Sequence, residues 1–297
     1  MNCTHRIGRP RLLLIGCGDV GMRLLPLLAA RFRVFAVTRG SEHDSEHAAA
    51  IRAAGAVPVL ADLDQPASLA RLRGLAPYVV HLAPPRPEGM LDVRTRNVTA
   101  ILPAGAHLVY VSTSGVYGDC GGALIDETRT VAPKNARAAR RVDAERVLRG
   151  WARRSGGSVA ILRVPGIYAI ERLPLKRLRE GTPALRAEDD VYTNHIQADD
   201  LARIVALALF RARPGRVYHA ADDTRLKMAD YFDAVADAAG LPRPPRLARA
   251  DLREVVSPVL LSYMSESRRL DNTRLLRELG VRLRYPDVQQ ALAQWAL

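Results

Sequence analysis

The sequence predicts a doubly wound α/β fold, with a parallel sheet covered by helices on both faces, joined to a smaller, mainly helical C-terminal lobe. Three observations lead there. Short apolar runs alternate with segments of helical period through the first half of the chain. Each run is apolar at odd and even positions alike, as a strand buried on both faces must be. The alternation stops near residue 165, where proline clusters and amphipathic segments take over. Repeated βαβ units account for the first two features, and a separate lobe for the third.

The elements follow in order. Strands are expected at residues 11–15, 33–38, 57–60, 78–82, 107–112 and 158–163, with helices between them at 19–31, 46–54, 67–73, 91–102 and 136–154. Beyond them, amphipathic helices are expected at 228–239, 272–279 and 287–296, with a proline-rich break at 241–245. The implied division is a nucleotide domain at 1–166, to which 191–224 returns, and a substrate lobe at 167–297.

The first strand runs directly into LLLIGCGDVG, where Gly16, Gly18 and Gly21 form GxGxxG at the head of a helix. That context makes it a dinucleotide-binding Rossmann fingerprint. The glycines permit a tight turn and a close approach of pyrophosphate to backbone N–H groups at the positive helix end, which brings Asp19 and Val20 into the loop. Asp19 is also placed to cap the helix. The second strand ends in Thr38 and Arg39, where NAD-preferring sites carry an acidic residue for the ribose hydroxyls. Arg39 suits a 2′-phosphate, so NADP is expected, with NAD as the alternative. After the third strand, Asp62 and Leu63 lie where a carboxylate can accept from the adenine amino group, N-capping by Asp62 or Asp64 being the competing role.

Composition narrows the function classes. The net charge is +13 and the pI near 10.3, but the basic residues are 41 arginines against three lysines, scattered among alanine and leucine. With aromatics at 5% and no basic segment interleaved with stacking rings, specific nucleic-acid binding is not expected. The longest apolar run, residues 204–210, is far too short to span a bilayer, so a soluble, cytoplasmic protein with no membrane partner is expected. Three widely separated cysteines argue against a disulfide framework. No Cys/His metal spacing is present; His43 and His47, spaced i,i+4 in a polar string, read as a solvated helix start. The partner expected is a small-molecule substrate, with monomer and homodimer both open.

Several strings, taken in order, resemble the extended short-chain dehydrogenases of the NAD-dependent epimerase/dehydratase family. They are the glycine loop, Asp62 after the third strand, VVHLAPP, VSTSGVYGD, DAERVL, ILRVPGIY and NHIQADDLA, covering most of the first 210 residues. The resemblance implies that Leu82, Ala83 and Pro84 lie by the adenosine ribose and Val164 and Pro165 by the nicotinamide. It also puts Thr113 in the catalytic Ser/Thr slot.

Departures from the family pattern matter as much. Where the family reads Tyr-x-x-x-Lys-x-x-Ala-Glu, aligning Ala144 and Glu145 puts Arg137 in the tyrosine slot and Arg141 in the lysine slot. Arg141 can still hold ribose hydroxyls. Arg137 can attract an anion but cannot relay a proton, because a guanidinium stays charged. Tyr117 and Tyr168 are the candidates to replace the missing acid. Ile15 stands where the family's first glycine would be, and Ser114 and Gly115 stand where related sugar dehydratases carry Asp-Glu, so dehydration is not expected. Two readings follow: an NAD(P)-dependent oxidoreductase or epimerase-like enzyme of atypical type, or a catalytically silent NADP(H)-binding sensor or docking protein.

Overall fold

The computed structural model describes residues 8–39 and 43–295. The chain forms two compact units, the first made of Met1–Ser112, Ala139–Leu162 and Ala202–Val217, the second of Thr113–Ala138, Arg163–Leu201 and Tyr218–Leu297. Neither is a continuous stretch of sequence.

The first unit opens with β1 (Arg11–Ile15), α1 (Asp19–Ala29), β2 (Arg33–Thr38), α2 (His43–Ala53), β3 (Val57–Leu60), β4 (Tyr78–His81), α3 (Val93–Thr99) and β5 (His107–Thr113), after which α4 spans Ala136–Ser155. Together with strands Ser158–Val164 and Val217–His219 they build one seven-stranded sheet. Its order is Val217–His219, Ser158–Val164, β5, β4, β1, β2, β3. β1 pairs in parallel with both β2 and β4, Leu14 standing opposite Ala36 on one side and Val80 on the other. From β1 the chain winds outward to β3, and from β4 it winds the other way. The reversal falls between β1 and β4, and open α/β sheets bind ligands outside the carboxyl ends of the strands at such a point.

The expected fold class therefore holds, with local differences. β3 is an edge strand with Val57 and Leu60 exposed, not covered on both faces. Residues 67–73 form a 3₁₀ segment at Pro66–Leu72 instead of an α-helix, since a proline start and a following glycine leave room for only two tight turns. The helix expected at 91–102 is confined to Val93–Thr99, because Asp92 caps it by accepting from the Thr95 N–H (3.1 Å). The strand at Val217–His219 is too short for its pattern to register in the sequence.

Each unit has its own core. In the first, Leu13, Val79, Leu108, Leu148 and Ile161 are buried together. In the second, Tyr168, Phe232, Val235, Leu252 and Val288 are. Among the described residues no helix is long and apolar enough to cross a membrane, and no group of His, Cys, Asp and Glu could hold a metal ion. The side chain of His43 lies outside the described residues; His47 is in α2.

Candidate functional site

The glycine loop leaves β1 in a conformation reserved for glycine. Gly16 has φ +91°, and a Cβ there would lie 2.5 Å from the Ala83 backbone nitrogen. Both Leu82 and Ala83 donate their N–H groups to the Ile15 carbonyl, at 2.8 and 3.1 Å, so the ends of β1 and β4 are laced together at this point. A Cβ on Gly21 would come within 2.9 Å of the Gly16 oxygen. Gly18 differs: a Cβ added there meets nothing within 4 Å. It precedes α1 as the N-cap residue and makes no side-chain cap. The first helical bond runs from Met22 N–H to the Gly18 carbonyl (2.8 Å), so the N–H groups of the first turn point back toward the glycine loop. Asp19 does not cap the helix as the sequence suggested, since it is already the first helical residue and its carboxylate pairs with Arg23 one turn on (2.9 Å).

On the far side of β1, Arg39 follows β2 and is exposed. Asp62 caps nothing helical. Its carboxylate accepts from the Asp64 N–H (2.9 Å), and its own N–H donates to Ser68 Oγ (2.9 Å), which stiffens the loop after β3. Leu63 is buried, and its carbonyl accepts from Asn97 Nδ2 (2.8 Å). Asp64 is gripped by Arg94 through both carboxylate oxygens, at 2.9 and 2.6 Å, and the same arginine donates to the Pro84 carbonyl (3.0 Å). The hydrogen bonds from Arg94, with the charges of Arg86 and Arg39 beyond, hold the Asp64 carboxyl below its usual range.

Arg141 projects from α4 toward the end of β5, donating through NH1 to the Tyr110 hydroxyl and the Val111 carbonyl, both at 2.9 Å. Glu145, one turn further, accepts from the buried Ser112 hydroxyl (2.7 Å). This contact fixes the register of α4 on β5 and so the place of Arg141. Below it, His81 is buried against Tyr110, with ring centroids 5.2 Å apart. The Thr95 hydroxyl donates to Asp92 (2.6 Å), so His81 Nε2 must carry the proton in its 3.1 Å bond to Thr95. Burial drives His81 down to about 3 and Tyr110 up to about 12. Neither titrates near neutrality.

In the second unit, Thr113 is half-buried and accepts from the Gly115 N–H (3.2 Å), a bond that leaves its hydroxyl proton to donate. Val164 is buried and Pro165 half-buried, just before the short pairing of Gly166–Tyr168 with His195–Gln197. Arg137 is exposed, its guanidinium 4.3 Å from the centre of the Tyr263 ring.

Tyr117 is fully enclosed. Its hydroxyl lies 2.6 Å from His219 Nε2 and 2.6 Å from Arg163 NH1. His219 Nδ1 faces the Asp271 carbonyl (2.9 Å) and must donate to it, so Nε2 accepts and Tyr117 donates. Glu127 closes the network, accepting from the His219 N–H (2.9 Å) and pairing with Arg274 (3.3 Å). Tyr168 is also enclosed, its phenol pushed far above the ordinary range by burial and by the charge of Asp222. Burial lifts Asp222 itself to about 7.

Residues of NHIQADD act as braces. Asn194 bonds the Arg268 carbonyl (2.9 Å) and the Leu270 N–H (2.8 Å), and Asp200 accepts from the N–H groups of Arg284 and Tyr285. Cys17 is buried beside Met22, with its thiol pushed up to about 11. Sequence reasoning missed the parts of Tyr110, Glu145, Arg94 and Asp64. The DAERVL string carried a signal for Glu145 but gave no hint of its partner.

Residues 95–293 match the family profile described as the RmlD substrate binding domain. No curated protein matches the chain. Among solved structures, a functionally unknown conserved protein from Silicibacter pomeroyi DSS is 29% identical, with a TM-score of 0.77 over 96% of this chain and 97% of that one. The dTDP-glucose 4,6-dehydratase DesIV from Streptomyces venezuelae, with NAD and TYD bound, superposes with a TM-score of 0.72 at 23% identity, over 93% and 92% of the chains. The UDP-N-acetylglucosamine 4-epimerase from Bacillus cereus gives 0.67 at 14% identity, over 97% and 98%. The resemblance to extended short-chain dehydrogenases read from the sequence is borne out.

Proposed function

Because the chain belongs to the family of the RmlD substrate binding domain, we propose that it is an NADP(H)-dependent oxidoreductase or epimerase-like enzyme working without the family's tyrosine and lysine. The observation that carries this reading is the glycine cradle. Gly16 and Gly21 are held where a Cβ would strike backbone, which gives them a packing role, whereas Gly18 opens onto free space at the start of α1. That combination fits a pyrophosphate lying against Gly18 and the N–H groups of Asp19, Val20 and Gly21.

The remaining residues take their parts from that anchor. Arg39 suits the 2′-phosphate, and Asp62, Leu63, Leu82, Ala83 and Pro84 the adenosine. Val164 and Pro165 suit the nicotinamide, which when bound supplies or accepts the hydride. Arg141 is already half-committed to Tyr110 and Val111, leaving its remaining donors for the ribose. The Thr113 hydroxyl orients a substrate oxygen by donating to it, and Arg137 offers charge to an anionic group. The named activities among the structural neighbours concern dTDP- and UDP-linked sugars, so such compounds head the substrates to try.

One observation favours a second reading, a silent NADP(H)-binding protein: the hydroxyls of Tyr117 and Tyr168, the two candidate acids, are both enclosed. A single experiment separates the readings. NADPH oxidation is followed with aldehydes, ketones and nucleotide sugars, alongside calorimetric titration of the cofactor. Turnover with any of them supports the enzyme, tight binding without turnover supports the silent protein, and no binding removes both.

A further inference from the structure

At the amino ends of its strands the first unit carries one sign of charge. Arg11 and Arg33 stand at the heads of β1 and β2, Arg31 and Arg73 in the turns leading into β2 and β4, and Arg153 and Arg154 in the last turn of α4, ahead of the strand Ser158–Val164. All six are exposed, and none makes an ion pair among the described residues. No Asp or Glu occurs in any segment leading into a strand of this sheet, or in the last turn of the helix before it. The acids of the unit follow strands instead, as Asp19, Asp62, Asp64 and Asp92 do. Five helices, α1 to α4 and Ala198–Arg211, end at this rim, and each brings about half a negative charge, roughly two and a half in all against six. Helix ends alone do not account for so many arginines.

Rings run along the same rim. Phe210, in the last turn of Ala198–Arg211, is 50% exposed and stacks on Phe32 with 5.6 Å between ring centres. Phe32 meets Tyr78 edge-on (5.1 Å), and Tyr78 stacks on the exposed His107 (5.5 Å). His107 Nδ1 is tied to Ser158 Oγ (2.8 Å), and the Arg31 guanidinium lies 5.2 Å from the centre of Phe210. Cations flanking exposed rings suit single-stranded nucleic acid, whose phosphates take the charge and whose bases take the ring faces. The five strand heads from β2 to Ser158–Val164, about 4.8 Å apart, span roughly 19 Å. That is the length of about five stacked nucleotides at roughly 3.4 Å each. The ring faces favour bases over an acidic protein, and a bilayer calls for an amphipathic helix lying on its surface, which a row of strand heads is not.

We propose that this rim docks single-stranded nucleic acid through phosphates and stacked bases, without regard to sequence. The rim is gathered from separate segments, so the linear chain shows no basic run interleaved with rings. The glycine loop lies at the carboxyl end of β1 and the rim at the amino ends, so a dinucleotide held at the loop does not compete.

The test is fluorescence anisotropy of a labelled oligothymidylate of about twelve nucleotides, titrated with the whole protein at about 50 to 200 mM salt. Affinity is expected to fall with salt at a log–log slope of about −3, as roughly four neutralised phosphates give on a single strand. Arg31→Gln with Arg33→Gln should reduce the magnitude of that slope by about 1.4. Phe210→Ala should weaken binding about tenfold and leave the slope alone. Circular dichroism melts report whether each variant is folded; should Phe210→Ala fail, Phe210→Leu keeps the apolar contact with Phe32, loses the stacking face, and should show the same loss. No binding at the lowest salt, or binding that none of these variants moves, overturns the proposal. Loss with the arginine variant but not with the Phe210 variants assigns the rim to a polyanion without bases and overturns the nucleic acid. Release of the oligonucleotide by NADPH places it at the glycine loop and overturns the rim.

Discussion

The Tyr117 hydroxyl and His219 Nε2 lie 2.6 Å apart inside the second unit, with the proton on the tyrosine and the other face of its oxygen taken by Arg163. The pair is a structural joint. Tyr117→Phe leaves two buried polar groups short of a partner, so stability should fall by about 1–3 kcal/mol in urea denaturation. NADPH affinity should stay as it was. A loss of binding larger than the loss of stability would show that Tyr117 touches the ligand.

Acid should destabilise the protein through its buried histidines. His81 and His195 are held at about 3 and His219 at about 4, all by burial, against an ordinary value of 6.5. A depressed histidine contributes stability that is present above its unfolded value and is lost as pH falls toward the folded one. Asp222, raised to about 7, has the opposite sign: its contribution is complete below 3.8 and disappears as pH climbs to 7. Glu127 and Asp190, raised by burial, act in the same direction as Asp222. Three strongly shifted histidines outweigh one strongly shifted carboxyl, so the urea midpoint should drop between pH 7 and pH 5. Asp222→Asn should make the drop steeper by about one proton of linkage. A midpoint that rises on acidification would mean that these histidines are open to solvent.

The glycines of the loop should separate fold from binding. Gly18→Val places its side chain in open space, so the protein should fold normally and bind NADPH at least ~10-fold more weakly, about 1.4 kcal/mol. Gly16→Ala drives a methyl into the Ala83 backbone from a positive φ and should lower the melting temperature before binding is even measured. Equal behaviour of the two variants would contradict the geometry.

Arg141 and Arg137, one turn apart on α4, should differ in what they hold. A charge-assisted bond to ribose is worth about 1.5–3 kcal/mol, so Arg141→Ala should weaken nucleotide binding measurably, and Arg137→Ala should leave it nearly unchanged. Because Arg141 also ties Tyr110 and Val111 together, its removal should cost stability as well. The double change Arg137→Tyr with Arg141→Lys asks whether the rest of the site still supports ordinary reduction, read as NADPH oxidation. Loss of binding on Arg137→Ala alone would mean that the register taken for α4 is wrong.

Much of this was legible because it is local. The strand at Arg11–Ile15, the glycines after it and the helix head at Asp19 declare themselves within a dozen residues, since periodicity and backbone freedom are written in adjacent positions. The edge position of β3 was not, because an edge is a fact of sheet order and not of the strand itself. The enclosure of Tyr117 was equally hidden. Its partners Arg163 and His219 are 46 and 102 residues away, and no spacing rule joins them. The link between Arg94 and Asp64 spans 30 residues, so the acid after β3 that looked like a cap turned out to be half of an ion pair.

The interleaving of the two units has a consequence for synthesis. The chain passes from one unit to the other five times, and the strand that ends the sheet comes only at Val217–His219. A nascent polypeptide leaving the ribosome can assemble β1 to β4 early, but the flank of Ser158–Val164 stays bare until roughly the last quarter is being translated. Premature termination before Val217 would thus release a sheet with an open hydrophobic margin, a substrate for chaperones rather than a working half-protein.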